Sequence, residues 1–274
     1  MPRIVGLLFL LLFTGCSSER IAGWYITRKI DGYFDLSSEQ KHRVRATVDD
    51  TIEYVRREEL SHWISLLREV RQGFHDGMTD ERLAKLQLRY DQRIDVAVHI
   101  LVPRVAPLLV QLDAEQLDHF TKRVNEDLAE AYEDLELTPE KRREKLEQKA
   151  LELVEDFVGS LSDEQEVSVR ALIRKLPNER DKQYRAARDN LAHFRAFLGT
   201  RPTAPALESE LDAMWEHRYD ALGTGHEKEA RRGFQRQWLL SVFQLLTPKQ
   251  RAHAEEELSD RIRMLKRYVL PAES

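Results

Sequence analysis

Apolar residues recur every three or four positions through almost the whole chain. The first series is Val44, Val48, Ile52, Val55, Trp63, Leu66, Leu67 and Val70. That spacing keeps one face of an α-helix apolar and predicts a long amphipathic helix ending near Gly73 or Gly77. Thr79-Asp80 restarts the chain. Leu83, Leu86, Tyr90, Ile94, Val98, Leu101 and Val105 then mark a second helix, which Pro103 and Pro107 should kink or end. Shorter series follow around Phe120 and Val124, Val154 and Phe157, Val169 and Ile173, Leu191 and Phe194, Leu211 and Trp215, Trp238 and Val242, and Leu258 and Ile262. No strand-like alternation rises above this helical period. The predicted fold is all-α, with about nine or ten helices in antiparallel hairpins.

A five-residue mark punctuates the pattern. It reads Leu36-Ser-Ser-Glu-Gln40, Leu112-Asp-Ala-Glu-Gln116, Leu137-Thr-Pro-Glu-Lys141, Leu161-Ser-Asp-Glu-Gln165 and Leu246-Thr-Pro-Lys-Gln250. Each copy has the grammar of a helix start. Ser37, Asp113, Thr138, Ser162 and Thr247 carry a side-chain oxygen suited to an orphaned backbone N–H. Three residues on, Gln40, Gln116, Gln165 and Gln250 can reach back to the cap and close a capping box, whereas the third copy has Lys141 there. Pro139 and Pro248 fall at the first helical position, where no N–H is needed. Helices are therefore expected to start near Ser38, Ala114, Pro139, Asp163 and Pro248.

The marks are spaced almost symmetrically, 76 residues from Leu36 to Leu112 and 85 from Leu161 to Leu246. Within each interval lies a similar phrase, Leu60-Ser-His-Trp-Ile-Ser-Leu-Leu67 and Leu191-Ala-His-Phe-Arg-Ala-Phe-Leu198. These features suggest two duplicated helical halves, 36–136 and 161–274, with 137–160 as a joining helix. His62 and His193 hold equivalent places and read as structural histidines at a helix interface.

Residues 1–15 read differently. Arg3 precedes an apolar run from Ile4 to Phe13, too short for the ~20 residues that span a bilayer and suited to a secretory signal. Thr14-Gly15 before Cys16 resembles a bacterial lipobox, although Phe13 stands where Leu is preferred. That resemblance implies a lipid-modified Cys16, bearing a diacylglyceryl thioether and an N-acyl group. Cys16 is the chain's single cysteine, so no internal disulfide can form. In many of the Gram-negative lipoproteins that this segment resembles, Ser rather than Asp at the position of Ser17 implies sorting to the outer membrane, facing the periplasm. Residues 16–35 form a short tether and an aromatic-rich opening helix with Trp24, Tyr25, Ile30, Tyr33 and Phe34. Those side chains either pack on the body or, for Trp24 and Tyr25 close to the lipid, sit at headgroup level.

Composition narrows function by exclusion. The net charge is −5, and removal of residues 1–15 with Arg3 takes it to −6. A mildly acidic surface argues against nucleic acid as a partner. At 42% hydrophobic the chain can supply a core. No Gly-rich phosphate loop, no His-x-x-x-His pair, no nucleophile elbow and no isolated carboxylate dyad is present. No cofactor or metal site and no catalytic residue is expected, and enzyme activity ranks as a remote alternative.

Two resemblances add to this reading. The lipobox, Asp31-Gly-Tyr-Phe-Asp-Leu-Ser-Ser-Glu-Gln40, Arg56-Arg-Glu-Glu-Leu60 and Phe157-Val-Gly-Ser-Leu-Ser-Asp-Glu-Gln165 resemble a family of uncharacterised proteobacterial lipoproteins, which carries no established activity. The five marks alone resemble the Leu-Thr-x-x-Gln motif of small helical periplasmic stress chaperones. That likeness implies ATP-independent binding of non-native polypeptides on a cradle of helices. The expectation is a lipid-anchored envelope protein that binds other polypeptides, either as a chaperone or as a structural or assembly scaffold. Trp24, Phe74, Met78, Trp215 and Phe234 are candidates for an exposed apolar surface, each with burial in the core as the competing expectation.

Overall fold

The computed structural model describes residues 19–176, 178–223 and 225–270. The expected signal segment and Cys16 lie outside the described residues. Among the described residues the chain is helical, with no strand. We number the helices α1 (Glu19–Phe34), α2 (Ser38–Tyr54), α3 (Leu60–Asp76), α4 (Asp80–Leu109), α5 (Ala114–Ala131), α6 (Pro139–Val158), α7 (Asp163–Ile173), α8 (Arg180–Gly199), α9 (Ala204–Glu216), α10 (Gly225–Leu245) and α11 (Pro248–Lys266). All five marked starts, at Ser38, Ala114, Pro139, Asp163 and Pro248, fall one residue after their caps.

The long first helix is interrupted. Val55–Glu59 forms a π turn between α2 and α3. Such a turn disturbs the regular ladder, and here one of its carbonyls takes a remote donor. Leu270 N donates to Arg56 O at 3.2 Å, and Arg56 Nε donates to Tyr268 O at 2.7 Å, so the C-terminal segment docks on the turn. Glu59, buried at the end of the turn, accepts from Arg93 Nη1 of α4 at 3.3 Å.

Of the two outcomes expected at Pro103 and Pro107, a kink or an end, the end does not occur: α4 runs through both. His99, Pro103 and Pro107 lie along one exposed edge, and Val98, Val102 and Ala106 are buried. The carbonyls left without an N–H donor belong to His99 and Pro103, on the solvent side where water can serve them. The packed face is untouched, so the helix continues.

Two main cores organise the molecule. The first gathers Ile26 of α1, Val44 and Val48 of α2, Val98, Val102 and Ala106 of α4, Leu117 and Phe120 of α5, with the buried faces of α8 and α9. The second gathers Leu151, Val154 and Val158 of α6, Val169 and Ile173 of α7, Val242 and Phe243 of α10, and Ala254 of α11. Phe74 and Met78, from the end of α3 and the turn after it, close the second core.

Four helix pairings recur between the two cores. In the first, α1 packs on α2 and α5, α2 on α4, and α5 on α8. In the second, α6 packs on α7 and α11, α7 on α10, and α11 on α3. Helices α5 and α11 thus each lie against a helix from the other end of the chain, α8 and α3 respectively. The continuous α4 corresponds to the broken pair α9 and α10 and packs against both.

Candidate functional site

The glutamines of four marks do more than cap. Ser37 Oγ accepts from Gln40 N at 3.3 Å, and Gln40 Oε1 accepts from Ser37 N at 2.9 Å. Asp113 and Gln116, Ser162 and Gln165, and Thr247 and Gln250 form the same reciprocal box. Thr138 caps Lys141 N without a return bond, as Lys has no acceptor.

The four boxes meet in two pairs. Gln40 Nε2 donates to Gln116 Oε1 at 3.1 Å, and Gln116 Nε2 donates back to Gln40 Oε1 at 2.8 Å. Gln165 and Gln250 repeat this at 2.9 and 3.0 Å. The second N–H of each amide donates to the backbone carbonyl five residues before its partner. Gln116 reaches Asp35 O at 3.1 Å, and Gln40 reaches Gln111 O at 3.4 Å. Gln250 reaches Ser160 O at 2.8 Å, and Gln165 reaches Leu245 O at 2.7 Å.

An amide has two N–H donors and two acceptor lone pairs, and all four are used at each glutamine. Glu would lack the donors and Asn would be a methylene short. Gln116 and Gln250 are buried, where satisfied polar groups stabilise and unsatisfied ones cost about 1–3 kcal/mol. Leu36, Leu112 and Leu246, the residues before the caps, are buried beside the joints, and Leu161 is partly buried. Each joint is a structural clamp between two helix entrances.

Two further polar clusters tie neighbouring helices together. Glu147 of α6, buried, accepts from Arg174 at 2.8 and 3.1 Å. A cavity of about 170 Å³ lies beside α6, lined by Asp134, Arg142, Arg143, Lys145, Lys149 and Arg180 among others. Its arginines are already committed. Arg142 donates to Asp134 O, Leu135 O and Leu137 O, and Arg180 donates to Ala131 O and both Asp134 oxygens. Burial raises the Asp134 carboxyl, and Arg180, with a backbone hydrogen bond and Lys145, more than reverses this and holds it below the usual range.

Several expectations change. His62 and His193, expected as structural histidines at a helix interface, are both exposed. His193 Nε2 lies 2.5 Å from Glu210 Oε1, a surface link between α8 and α9. The aromatic neighbours Trp63 and Phe194 do the packing, because one step along the helix turns the side chain inward. Of the candidate apolar surface residues, Trp215 is core, and Phe74 and Met78 pack against the cores. Trp24 and Phe234 are exposed. Exposed apolar side chains also include Leu88 and Tyr90 on α4 and Leu239 on α10. These two helices are laced together by Arg232–Asp91 at 2.7 Å and Arg236–Gln87 at 3.1 Å.

Among the described residues no group of three His, Asp or Glu side chains is placed to hold a metal, and no helix is long and apolar enough to cross a membrane.

The fold and its joints define an all-helical protein in which two paired capping boxes set the geometry. The chain belongs to the family of unknown function DUF6279, whose model matches residues 32–222. No curated protein and no solved structure matches the chain significantly. The matched span contains the first joint whole but stops before Gln250.

Reciprocal glutamine pairing was missed in the sequence. A signal was present, because a third-position Gln recurs in four marks at intervals of 76 and 85 residues. A capping box alone accepts Glu as readily as Gln, so the repeated choice of Gln pointed to a further donor requirement.

Proposed function

We propose that the protein is a non-enzymatic helical module, anchored by lipid at Cys16 to the outer membrane, facing the periplasm and binding other envelope polypeptides. The anchoring rests on the apolar run before Thr14-Gly15-Cys16, on the single cysteine, and on the resemblance to proteobacterial lipoproteins. Incorporation of an alkynyl palmitate tests it: label should enter the wild type and be lost in Cys16→Ala. An unlabelled wild type would remove the anchor.

The observation that carries polypeptide binding is the separate exposure of Leu88 and Tyr90 on α4 and of Phe234 and Leu239 on α10, which offer several apolar contact points along this helix pair. Exposed aromatic side chains are frequent anchors of protein contacts. A photo-crosslinker placed at Phe234 in intact cells should trap envelope polypeptides, whereas one at exposed Val167 of α7 serves as the comparison. A broad spread of adducts supports the chaperone form, and one dominant adduct supports the scaffold. Equal labelling at both positions, or none at Phe234, overturns the reading. We also propose that the two halves arose by duplication, since their packing pairs and joints correspond.

A further inference from the structure

We infer that the exposed face of α1 is a membrane-docking surface that lies on anionic phospholipid headgroups, resting on the reading that Cys16 is acylated. The face is defined by Trp24, Tyr25, Arg28 and Lys29, all exposed. Trp24 keeps 54% of its accessible surface and Tyr25 keeps 39%, although α1 is otherwise well packed. Gly23 and Ile26 on the opposite side are buried, and Ile30, Tyr33 and Phe34 pack against the first core. Residues 24, 25, 28 and 29 share one side of the helix because 24 and 28, 25 and 28, and 25 and 29 are three or four positions apart. The body holds α1 by one face and leaves an aromatic face outward.

Chain length supplies the occupant. Glu19 opens α1 three residues after Cys16. Three residues span at most about 11 Å when fully extended. Trp24 lies five residues further, about 8 Å along the helix. A lipid anchor at Cys16 therefore holds this face within about 20 Å of the bilayer surface in any arrangement. The body has no slack in which to float free of the membrane, so some face near the start of α1 rests on it.

Side-chain chemistry selects the face. Tryptophan and tyrosine favour the membrane–water interface because each ring is amphipathic. The Arg28 guanidinium stands 5.3 Å from the Trp24 ring centroid, and Lys29 Nζ stands 5.7 Å from that of Tyr25. Among the described residues neither Arg28 nor Lys29 has a carboxylate partner, whereas Asp31 is paired with Lys41. Two unneutralised cations beside two exposed rings form a locally basic spot on a chain of net charge −5. Anionic lipid complements it, at about fivefold in affinity for each basic residue near the surface.

The test uses mature protein purified from membranes, reconstituted into phosphatidylethanolamine vesicles with and without phosphatidylglycerol, each doped with a lipid spin-labelled near its headgroup. The chain has four tryptophans. Trp63 and Trp215 are buried and Trp238 is partly buried, so quenching of emission by the label reports chiefly on Trp24. Quenching is expected in the wild type, stronger with phosphatidylglycerol. Trp24→Phe should lose most of it while keeping the helical circular dichroism. Arg28→Glu with Lys29→Glu should lose the dependence on phosphatidylglycerol. Unquenched wild-type emission, or quenching that survives in Trp24→Phe, overturns the docking. Mass spectrometry of the N-terminal peptide separates the two readings. An acylated Cys16 with Trp24 unquenched sinks the docking alone, and an unmodified Cys16 sinks the anchor and the docking together.

Discussion

The joint of Gln40 with Gln116 and the joint of Gln165 with Gln250 use the same four kinds of hydrogen bond but sit in differently built halves. In the first half, α4 runs unbroken from Asp80 to Leu109. In the second, the corresponding length is divided into α9 and α10 at Asp220–Leu222. The helix entering each joint also ends differently. α1 stops at Asp35, whose φ is 46°, and α6 stops at Gly159, whose φ is 81°. Two residues earlier stand Tyr33 and Phe157 respectively. The comparison teaches that the joint tolerates breaks in the helices around it, because the bonds of each involve only two caps, two glutamines and two backbone carbonyls.

The largest expected effect comes from the glutamines themselves. Gln250→Glu keeps the shape but removes both donors, and sets a carboxylate against Ser160 O and Gln165 Oε1. A loss of about 2–3 kcal/mol is expected, combining an unsatisfied buried acceptor with a charge out of water. Gln116→Glu should cost about as much in the first joint. Gln40 and Gln165 are less buried, so their Glu variants should lose less, about 1–2 kcal/mol. Urea unfolding measures all four. Strictly additive losses in the Gln165→Ala/Gln250→Ala double variant would break the idea of a coupled joint, since contacting residues should show a coupling of at least ~0.5 kcal/mol.

The helix endings should give a smaller, opposite pair of effects. Gly159→Ala forces a side chain into the left-handed region and should cost about 1–2 kcal/mol. His253, 3.6 Å from the new Cβ, adds no clash. Asp35→Gly should relieve the same strain in the first half and stabilise by up to ~1 kcal/mol. A destabilised Asp35→Gly would show that the Asp35 side chain has a stabilising role of its own.

The smallest effect separates Tyr33 from Phe157 by pH. Burial pushes the Tyr33 hydroxyl up to about 12, and its hydrogen bond to Asp127 of α5 adds to this. A raised folded value favours the protonated form. The contribution is fully present below the ordinary tyrosine value of about 10 and is lost as pH rises through about 12. Between these limits the wild type should lose stability more steeply than Tyr33→Phe, the variant that makes the first half resemble the second. Parallel curves would show that the Tyr33–Asp127 bond adds nothing.

Much of the local structure was legible in the residues. Ser37, Asp113, Thr138, Ser162 and Thr247 announced five helix starts because capping joins residues three apart, and such contacts are written in order along the chain. The all-helical fold followed from the period of the apolar positions. Whether Pro103 and Pro107 would end α4 was not legible, because proline's cost depends on whether the freed carbonyl faces water, which the local sequence does not state. The exposure of His62 and His193, of Trp24 and of Phe234 was equally hidden, since each depends on which side of its helix a partner covers. Only the tertiary structure decided that Gln40 meets Gln116 and Gln165 meets Gln250, across 76 and 85 residues. The sequence set the four glutamines and their caps, whereas packing of the two cores chose the partners, because an amide bonds whichever complementary amide the fold brings within about 3 Å.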